Sequence, residues 1–598
     1  MGHRDDDHAL ATYDALVDKV ASDSMNLTEL RAPRLTGNSL KIFAKLLRAP
    51  VLGPAILRKI KSDNRMIQVR ELAATLRLQP LYYPLSMPSS ALLAQHSTRA
   101  HAYSLQALAT MEQATPSLAF HRYTAADYVG KYTSGAITPL QAITAVLNAI
   151  DDSNRREMPL RAFIQVHTDA ALEDARASTA RYRAGAPLGP LDGVPIAVKD
   201  EIEVQGYMTT FGTSFLGSVN GVATVDCLPV ARLRAAGAII VGKTNMHEFG
   251  AGCFGINIHH GTARNPFNEN HMTGGSSSGS AAAVAAGLVP IAIGCDGGGS
   301  VRIPAGLCGV VGLKATYMRI PYDFHGCPSL SNVGPLAGTV QDAALAYAVM
   351  AGSDAGHPMS VHQPPLYLST SPVADDLGHL RVGIYPDYLV GTDAEIVTAF
   401  HAQVAHLQAR GATIVHIKLP NLQAIHFGHN MTILTEMAQA TDVHYRRIRE
   451  FSADVQINLE LARSALSSID FLAAQRVRAY ATNMLRDVFD AVDVLVTPTT
   501  SILAPRLEPD VFKAGLSQLE LTTGLMKYMV LGNFVGVPGI AVPIGLSSGG
   551  LPMSLQLQAA HWHEDTIVQL ARLFESLNPM PPPPVYYAPL DNTPTDAH

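Results

Sequence analysis

Three residues of this chain have types and surroundings suited to acyl transfer: Lys199, Ser276 and Ser300. Ser276 lies in the run His271-Met-Thr-Gly-Gly-Ser-Ser-Ser-Gly-Ser280. Ser300 follows three glycines in Cys295-Asp-Gly-Gly-Gly-Ser-Val-Arg-Ile-Pro304. Both loops carry hydroxyls and close-set backbone N–H groups. Acyl transfer needs such parts: a nucleophile, a proton carrier and donors for a developing oxyanion. Lys199 closes the apolar stretch that begins at Val194. A flexible Gly/Ser linker is the plain alternative for residues 271–280. The apolar run from Ala281 to Ile293 excludes it. That run reads as a helix begun by serines and ended near Gly287, then a buried strand.

These loops need rigid elements on either side, and the rest of the chain supplies the pattern. Amphipathic helices are expected over Ala125–Tyr132, Thr138–Asp151 and Asp226–Ala236, the last with Asp226 as its N-cap. Short apolar strands are expected at Val194–Lys199, Gly237–Lys243 and Gly309–Lys314. Residues 355–377 read as loop. Leu380–Tyr385 reads as a strand, Ala394–Arg410 as a helix and Ala412–Ile417 as a strand. Residues 421–485 read as mainly helical, and Val492–Pro498 as a buried strand. Gly539–Pro543 and Met553–Gln558 pair as closing strands before a last helix over Asp565–Leu577. Helices alternating with apolar strands indicate an α/β fold, a mixed central sheet covered by helices. Residues 1–120 read as a helical N-terminal extension and 121–598 as the catalytic domain.

Composition limits the function. Of 598 residues 47% are hydrophobic and 16% charged, so a large core is feasible, and a net charge of −6 excludes a general nucleic-acid binder. Five cysteines at irregular spacing, with no apolar leader behind Met1, indicate a reduced, intracellular compartment. No apolar run reaches the roughly 18 residues of a membrane span. Residues 30–62 are different. Between Glu29 and Asp63 every charge is positive, and on a helix over Ser39–Ala49 the side chains of Lys41, Lys45 and Arg48 share one sector. Such a segment suits an anionic membrane surface. It equally suits packing on the protein with a basic edge in water, and the two are compatible. Residues 1–25 read as polar and partly helical.

Two familiar patterns fail on physical grounds. Gly237 to Thr244 matches a P-loop, but its variable positions Ala238–Val241 form the strand itself, so their N–H groups are spent on the sheet. Gly275-Ser-Ser-Ser-Gly279 matches a nucleophile elbow at Ser277, yet the polar loop Asn265–Met272 precedes it where a buried strand is required. His259-His260 and His426…His429 lack a metal partner at ligand spacing and read as loop or surface histidines.

With those set aside, the chain resembles the amidase signature hydrolases. Their pattern is a strand ending in lysine, then Gly-Gly-Ser-Ser, then Asp-x-Gly-Gly-Ser-x-Arg-x-Pro. Here it stands as Gly193/Pro195/Lys199/Asp200, Gly274–Ser277 and Asp296–Pro304, with the two serines 24 residues apart. The resemblance runs from about Ala125 to Leu577 and is looser over 355–485. Arg31-Ala-Pro-Arg-Leu-Thr-Gly-Asn-Ser-Leu-Lys41, Arg48-Ala-Pro-Val-Leu-Gly53 and Asn64 are similar to the plant-type fatty acid amide hydrolases. So are Gly261-Thr-Ala-Arg-Asn-Pro266 and Gly297, where the wider family has isoleucine.

The resemblance implies a role for each residue. Ser300 is the expected nucleophile. Ser276, after a cis peptide from Gly275, passes protons to Lys199, the base in its neutral form. The N–H groups of Gly297, Gly298, Gly299 and Ser300 form the oxyanion hole, and Ser277 and Arg302 brace the loops. Burial behind Val194–Val198 favours a neutral amine; an ion pair with Asp200 or Glu201 opposes it. Alternation along a strand turns Asp200 to the other face. The implied activity is hydrolysis of fatty acid amides of the N-acylethanolamine type, without metal or organic cofactor. A lipid-like substrate, peripheral membrane contact through residues 30–62 and a homodimer go with it. A small-amide or aryl-amide amidase with the same triad, or an amidotransferase subunit releasing ammonia from glutamine, are the alternatives.

Overall fold

The computed structural model describes residues 32–64, 66–100, 104–110, 120–371 and 374–591. The reading of residues 1–25 lies outside this set. Among the described residues the core is an eleven-stranded sheet. In chain order its strands are β1 (Phe163–Gln165), β2 (Pro195–Lys199), β3 (Ile239–Thr244), β4 (Ile291–Asp296), β5 (Val311–Lys314) and β6 (Asn332–Ala337). They continue with β7 (Arg381–Ile384), β8 (Thr413–His416), β9 (Val494–Pro498), β10 (Gly539–Leu546) and β11 (Pro552–Gln558). The order across the sheet is β8-β7-β9-β11-β10-β5-β6-β4-β2-β3-β1. The sheet is mixed. The pairs β4–β2 and β2–β3 are parallel, as are β8–β7 and β7–β9, and the other neighbours are antiparallel.

The apolar runs become strands because both faces are covered. Every residue of β2, β3 and β4 is buried, which suits continuous Val/Ile-rich segments rather than alternating ones. The helix Pro139–Arg155 shows how local sequence sets an element. Thr138 accepts from the Gln141 N–H, the Gln141 side chain accepts from the Thr138 N–H at 2.8 Å, and Pro139 supplies the first turn.

Two parts of the fold position the site. The helix Ser278–Ala285 is built of small residues, is buried throughout and lies against β2, β4 and β6. It ends as Gly287 turns back at φ +72°. The helices Leu422–Ala440, Ala453–Ala465 and Ser468–Ala491 pack together, and the N-terminal helices Gly37–Leu47 and Leu52–Asp63 lie on Ala453–Ala465. Asp470 clamps that junction. Its carboxylate takes Lys61 at 2.7 Å and Arg70 at 2.6 Å, which outweigh its burial and hold its carboxyl below the ordinary range.

Three local readings change. The helix expected from Asp226 starts at Leu228, with Pro229 in its first turn. Asp226 instead accepts from the Gln205 N–H at 2.8 Å and pairs with Arg234 at 3.0 Å. The expected polar loop Asn265–Met272 lies largely in a two-stranded ribbon of Arg264–Asn265 and Asn268–Met272. Polar residues can form it because its strands pair with each other at the margin of the core. The stretch Ala55–Lys61, which by its sequence reads as a second short basic-apolar turn after Pro50, lies in a full helix, Leu52–Asp63, because Leu57 and Gly53 are buried against the body of the protein.

Candidate active site

Lys199 and the loop after β4 meet because β2 and β4 are parallel neighbours. Their register pairs Val198 with Ile293, so Lys199 comes alongside the carboxyl end of β4. In open α/β sheets, ligand sites gather at such strand ends. Lys199 is fully buried. Its Nζ lies 2.7 Å from Ser276 Oγ, 3.4 Å from the Cys295 carbonyl and 2.7 Å from Glu201 Oε1. The last contact is the expected competitor for the lysine proton. Asp200 turns away, as strand alternation requires, and meets Lys243 at 3.5 Å.

Ser276 follows a cis Gly275–Ser276 peptide. Gly275 is needed for closeness: a Cβ there would stand 2.7 Å from the Gly255 backbone nitrogen. The Ser276 carbonyl accepts from the His247 N–H at 3.0 Å, and the Ser277 N–H donates to the Ser300 carbonyl at 3.2 Å. Ser277 Oγ donates to the Cys295 carbonyl at 3.4 Å. The two serine loops are therefore tied to each other and to β4.

The loop Gly297–Ser300 wraps around the Asp296 carboxylate. Asp296 accepts from the N–H groups of Gly299 at 2.7 Å and Val301 at 3.1 Å. It also takes Arg302 Nε and Nη2, each at 3.0 Å. Arg302 reaches Gln556 and Asn533, each at 2.5 Å, and Asn533 returns a bond to Asp296 at 2.9 Å. Burial alone would push the Asp296 carboxyl up; Arg302, Lys314 and Asn533 outweigh it and hold it well below the carboxylate range. The Gly299 amide is thus committed to Asp296. Gly299 has φ +107°, and a Cβ there would overlap Met529.

His429 corrects the reading of surface histidines. It is buried in the helix Leu422–Ala440, and its Nε2 lies 2.8 Å from the Gly297 carbonyl. Burial pushes it down to about 4 despite that bond, so the ring is neutral and its Nε2–H donates. His259 is half-buried beside Glu248 at 2.8 Å. Asn533, Gln556 and His429 carry no motif in the sequence. Only the fold brings each of them to the loop.

Ser276, Ser300, Gly297 and Gly298 open on one pocket, with Glu201 on its wall. Phe211, Phe249, Ile433 and Met437 also line it. The arrangement offers a hydroxyl, a second hydroxyl joined to a buried amine, and backbone amides, all facing one cavity whose wall mixes apolar side chains with Glu201, Tyr322 and His325.

The family model described as Amidase matches residues 142–568. The fatty acid amide hydrolase of Medicago truncatula is 35% identical over 569 residues, covering 92% of this chain and 93% of that protein. One subunit of the glutamyl-tRNA(Gln) amidotransferase of Methylococcus capsulatus is 33% identical over 488 residues, covering 76% of this chain and 97% of that protein. Among solved structures, a bacterial aryl acylamidase of the amidase signature family superposes with a TM-score of 0.69 at 27% identity, over 77% of this chain and 97% of that one.

The His429–Gly297 bond makes a prediction. His429→Ala should lower kcat by about 10- to 100-fold with little change in KM, because a loosened loop misplaces the reacting groups. His429→Gln, which keeps a donor, should recover part of the loss. Steady-state kinetics checks this; equal loss in both variants would leave the ring without a positioning role.

Proposed function

This chain belongs to the amidase family, and from that premise we propose that it is a serine hydrolase cleaving fatty acid amides of the N-acylethanolamine type. Residues 121–598 make up the catalytic domain and 1–120 the extension. The carrying observation is the 2.7 Å hydrogen bond between buried Lys199 and Ser276. Ser300 Oγ attacks the amide carbonyl while its proton moves to Ser276 and the proton of Ser276 moves to neutral Lys199. The N–H groups of Gly297, Gly298 and Ser300 take the oxyanion. Gly299, the remaining expected donor, is occupied by Asp296. Collapse of the tetrahedral intermediate breaks the C–N bond, and the leaving nitrogen takes a proton back through Ser276. Water then attacks the acyl-enzyme by the same relay and frees the acid. Ser277 and Arg302 keep the loops in place.

The lipid part of the reading rests on two supports. The apolar part of the pocket wall, Phe211, Phe249 and Met437, belongs to a buried cluster with Phe451, Val455 and Leu459. Residues 121–598 alone are too few to give the share of this chain that matches the Medicago protein, so its likeness extends into the N-terminal segment. A second reading, an aryl-amide amidase, has its own support in the aromatic walls Phe211, Phe249 and Tyr322. Turnover of N-palmitoylethanolamine against a short aromatic amide separates them. The fatty amide should win by about 100-fold in kcat/KM; a preference for the aromatic amide would keep the mechanism and overturn the substrate.

Residues 30–62 form the proposed peripheral membrane contact. Leu40, Ala44 and Leu47 face inward, while Ile42, Leu46, Val51 and Leu52 are exposed beside Lys41 and Lys45. Among the described residues no helix is long and apolar enough to cross a membrane. Apolar side chains inserting beside basic ones would hold the protein at an anionic surface. Ile42→Glu with Val51→Glu should abolish flotation with phosphatidylserine vesicles; unchanged flotation would remove this surface from the account.

A further inference from the structure

The pocket wall carries a carboxylate that the reaction above does not use. Glu201 lies two residues beyond Lys199, just past the end of β2, and its side chain is 15% exposed. Its Oε1 is 2.7 Å from Lys199 Nζ. Its other oxygen faces Gly250. A Cβ on Gly250 would stand 3.3 Å from Glu201 Oε2 and 3.6 Å from Ser276 Oγ. The carboxylate and the Ser276 hydroxyl therefore share one small area of wall. The backbone there is held as well, because the Tyr322 hydroxyl, 3.0 Å from the Glu201 carbonyl, shares its proton between that carbonyl and the Glu203 carboxylate. The neighbouring carboxylate, Glu203, is already engaged by His325 at 2.7 Å and by Tyr322.

Position then decides what Glu201 meets. In the proposed reaction, on which this inference rests, the leaving nitrogen collects its proton from Ser276. A substituent on that nitrogen that turns toward Gly250 would meet Glu201 Oε2 beside Ser276 Oγ. Among the described residues that line the pocket, none is an arginine or a lysine. The one imidazole on that wall, His325, is already paired with Glu203 at 2.7 Å, so a carboxylate on the leaving group would find no free cationic partner there. Lys199 is already engaged, its Nζ lying 2.7 Å from both Ser276 Oγ and Glu201 Oε1. A hydroxyl or an ammonium on the leaving group, by contrast, can donate to Oε2.

We propose that Glu201 selects the leaving amine by charge, favouring amines with a hydroxyl or cationic head and excluding those with an anionic one. The carboxylate stands beside a partly desolvated cavity, where a like charge a few ångströms away is strongly disfavoured.

The test uses the full chain and two pairs of substrates: the ethanolamide and the glycine amide of palmitic acid, and the same two amides of phenylacetic acid. Wild type should prefer the ethanolamide by about 100-fold in kcat/KM within whichever pair it turns over. Glu201→Gln should shrink that preference below about 10-fold, and Glu201→Asp should keep it. A wild-type enzyme without the preference, or a Glu201→Gln variant that retains it in full, overturns the inference. Turnover confined to the phenylacetyl pair would overturn the lipid substrate while the ratio within that pair still decides the role of Glu201. If Glu201→Gln loses turnover altogether, calorimetric binding of the two amides to Ser300→Ala and to Ser300→Ala/Glu201→Gln makes the same comparison. A preference lost with Glu201 supports the inference, and a preference kept overturns it.

Discussion

The site depends first on the buried ion pair of Asp296 and Arg302. Neither side chain is exposed. Such a pair costs desolvation that its own attraction scarcely offsets, so it persists only when its remaining donors and acceptors are filled. Here they are filled by the loop amides of Gly299 and Val301 and by Asn533 and Gln556. The loop before Ser300 therefore takes its shape by closing around a charge. The folded Asp296 carboxyl lies below its unfolded value. Its contribution to stability is thus present above the ordinary carboxylate range and is lost only as pH falls far below it. The shape of the loop therefore holds throughout the neutral range.

From that loop the structure extends in two directions. Inward, the parallel pairing of β2 and β4 places the Lys199 amine against the Cys295 carbonyl and Ser276. Outward, His429 ties the Gly297 carbonyl to the helix Leu422–Ala440. Ile433 and Met437 of the same helix line the pocket. The helix Ala453–Ala465 packs on Leu422–Ala440 and carries the N-terminal helices on its other contacts. Loop, cavity wall and extension are therefore one packed series.

Much of this was legible in the sequence where chemistry and chain order coincide. Ser276 and Ser300 are separated by one helix and one strand, so local patterns fixed both the elements and the loops between them. Lys199 was readable as the end of an apolar run. Strand alternation correctly sent Asp200 to the opposite side. The same alternation, carried one residue further, puts Glu201 back on the Lys199 side, where it stands. His429, Asn533 and Gln556 were not legible. Each acts at a distance of more than 100 residues through a single polar atom, and periodicity records which face is apolar rather than what a lone polar side chain will meet. A glycine run likewise announces close-set amides, but not that the Gly299 amide is bound by the Asp296 carboxylate.

The most direct test of the account is to trap the acyl group. Wild-type protein quenched in acid during turnover of N-palmitoylethanolamine, then digested and mapped by mass spectrometry, should carry a palmitoyl ester on Ser300. The ester should be absent from Ser300→Ala. An acyl group on Ser277 or Ser276, or a Ser300→Ala protein that still turns over substrate, would contradict the central assignment.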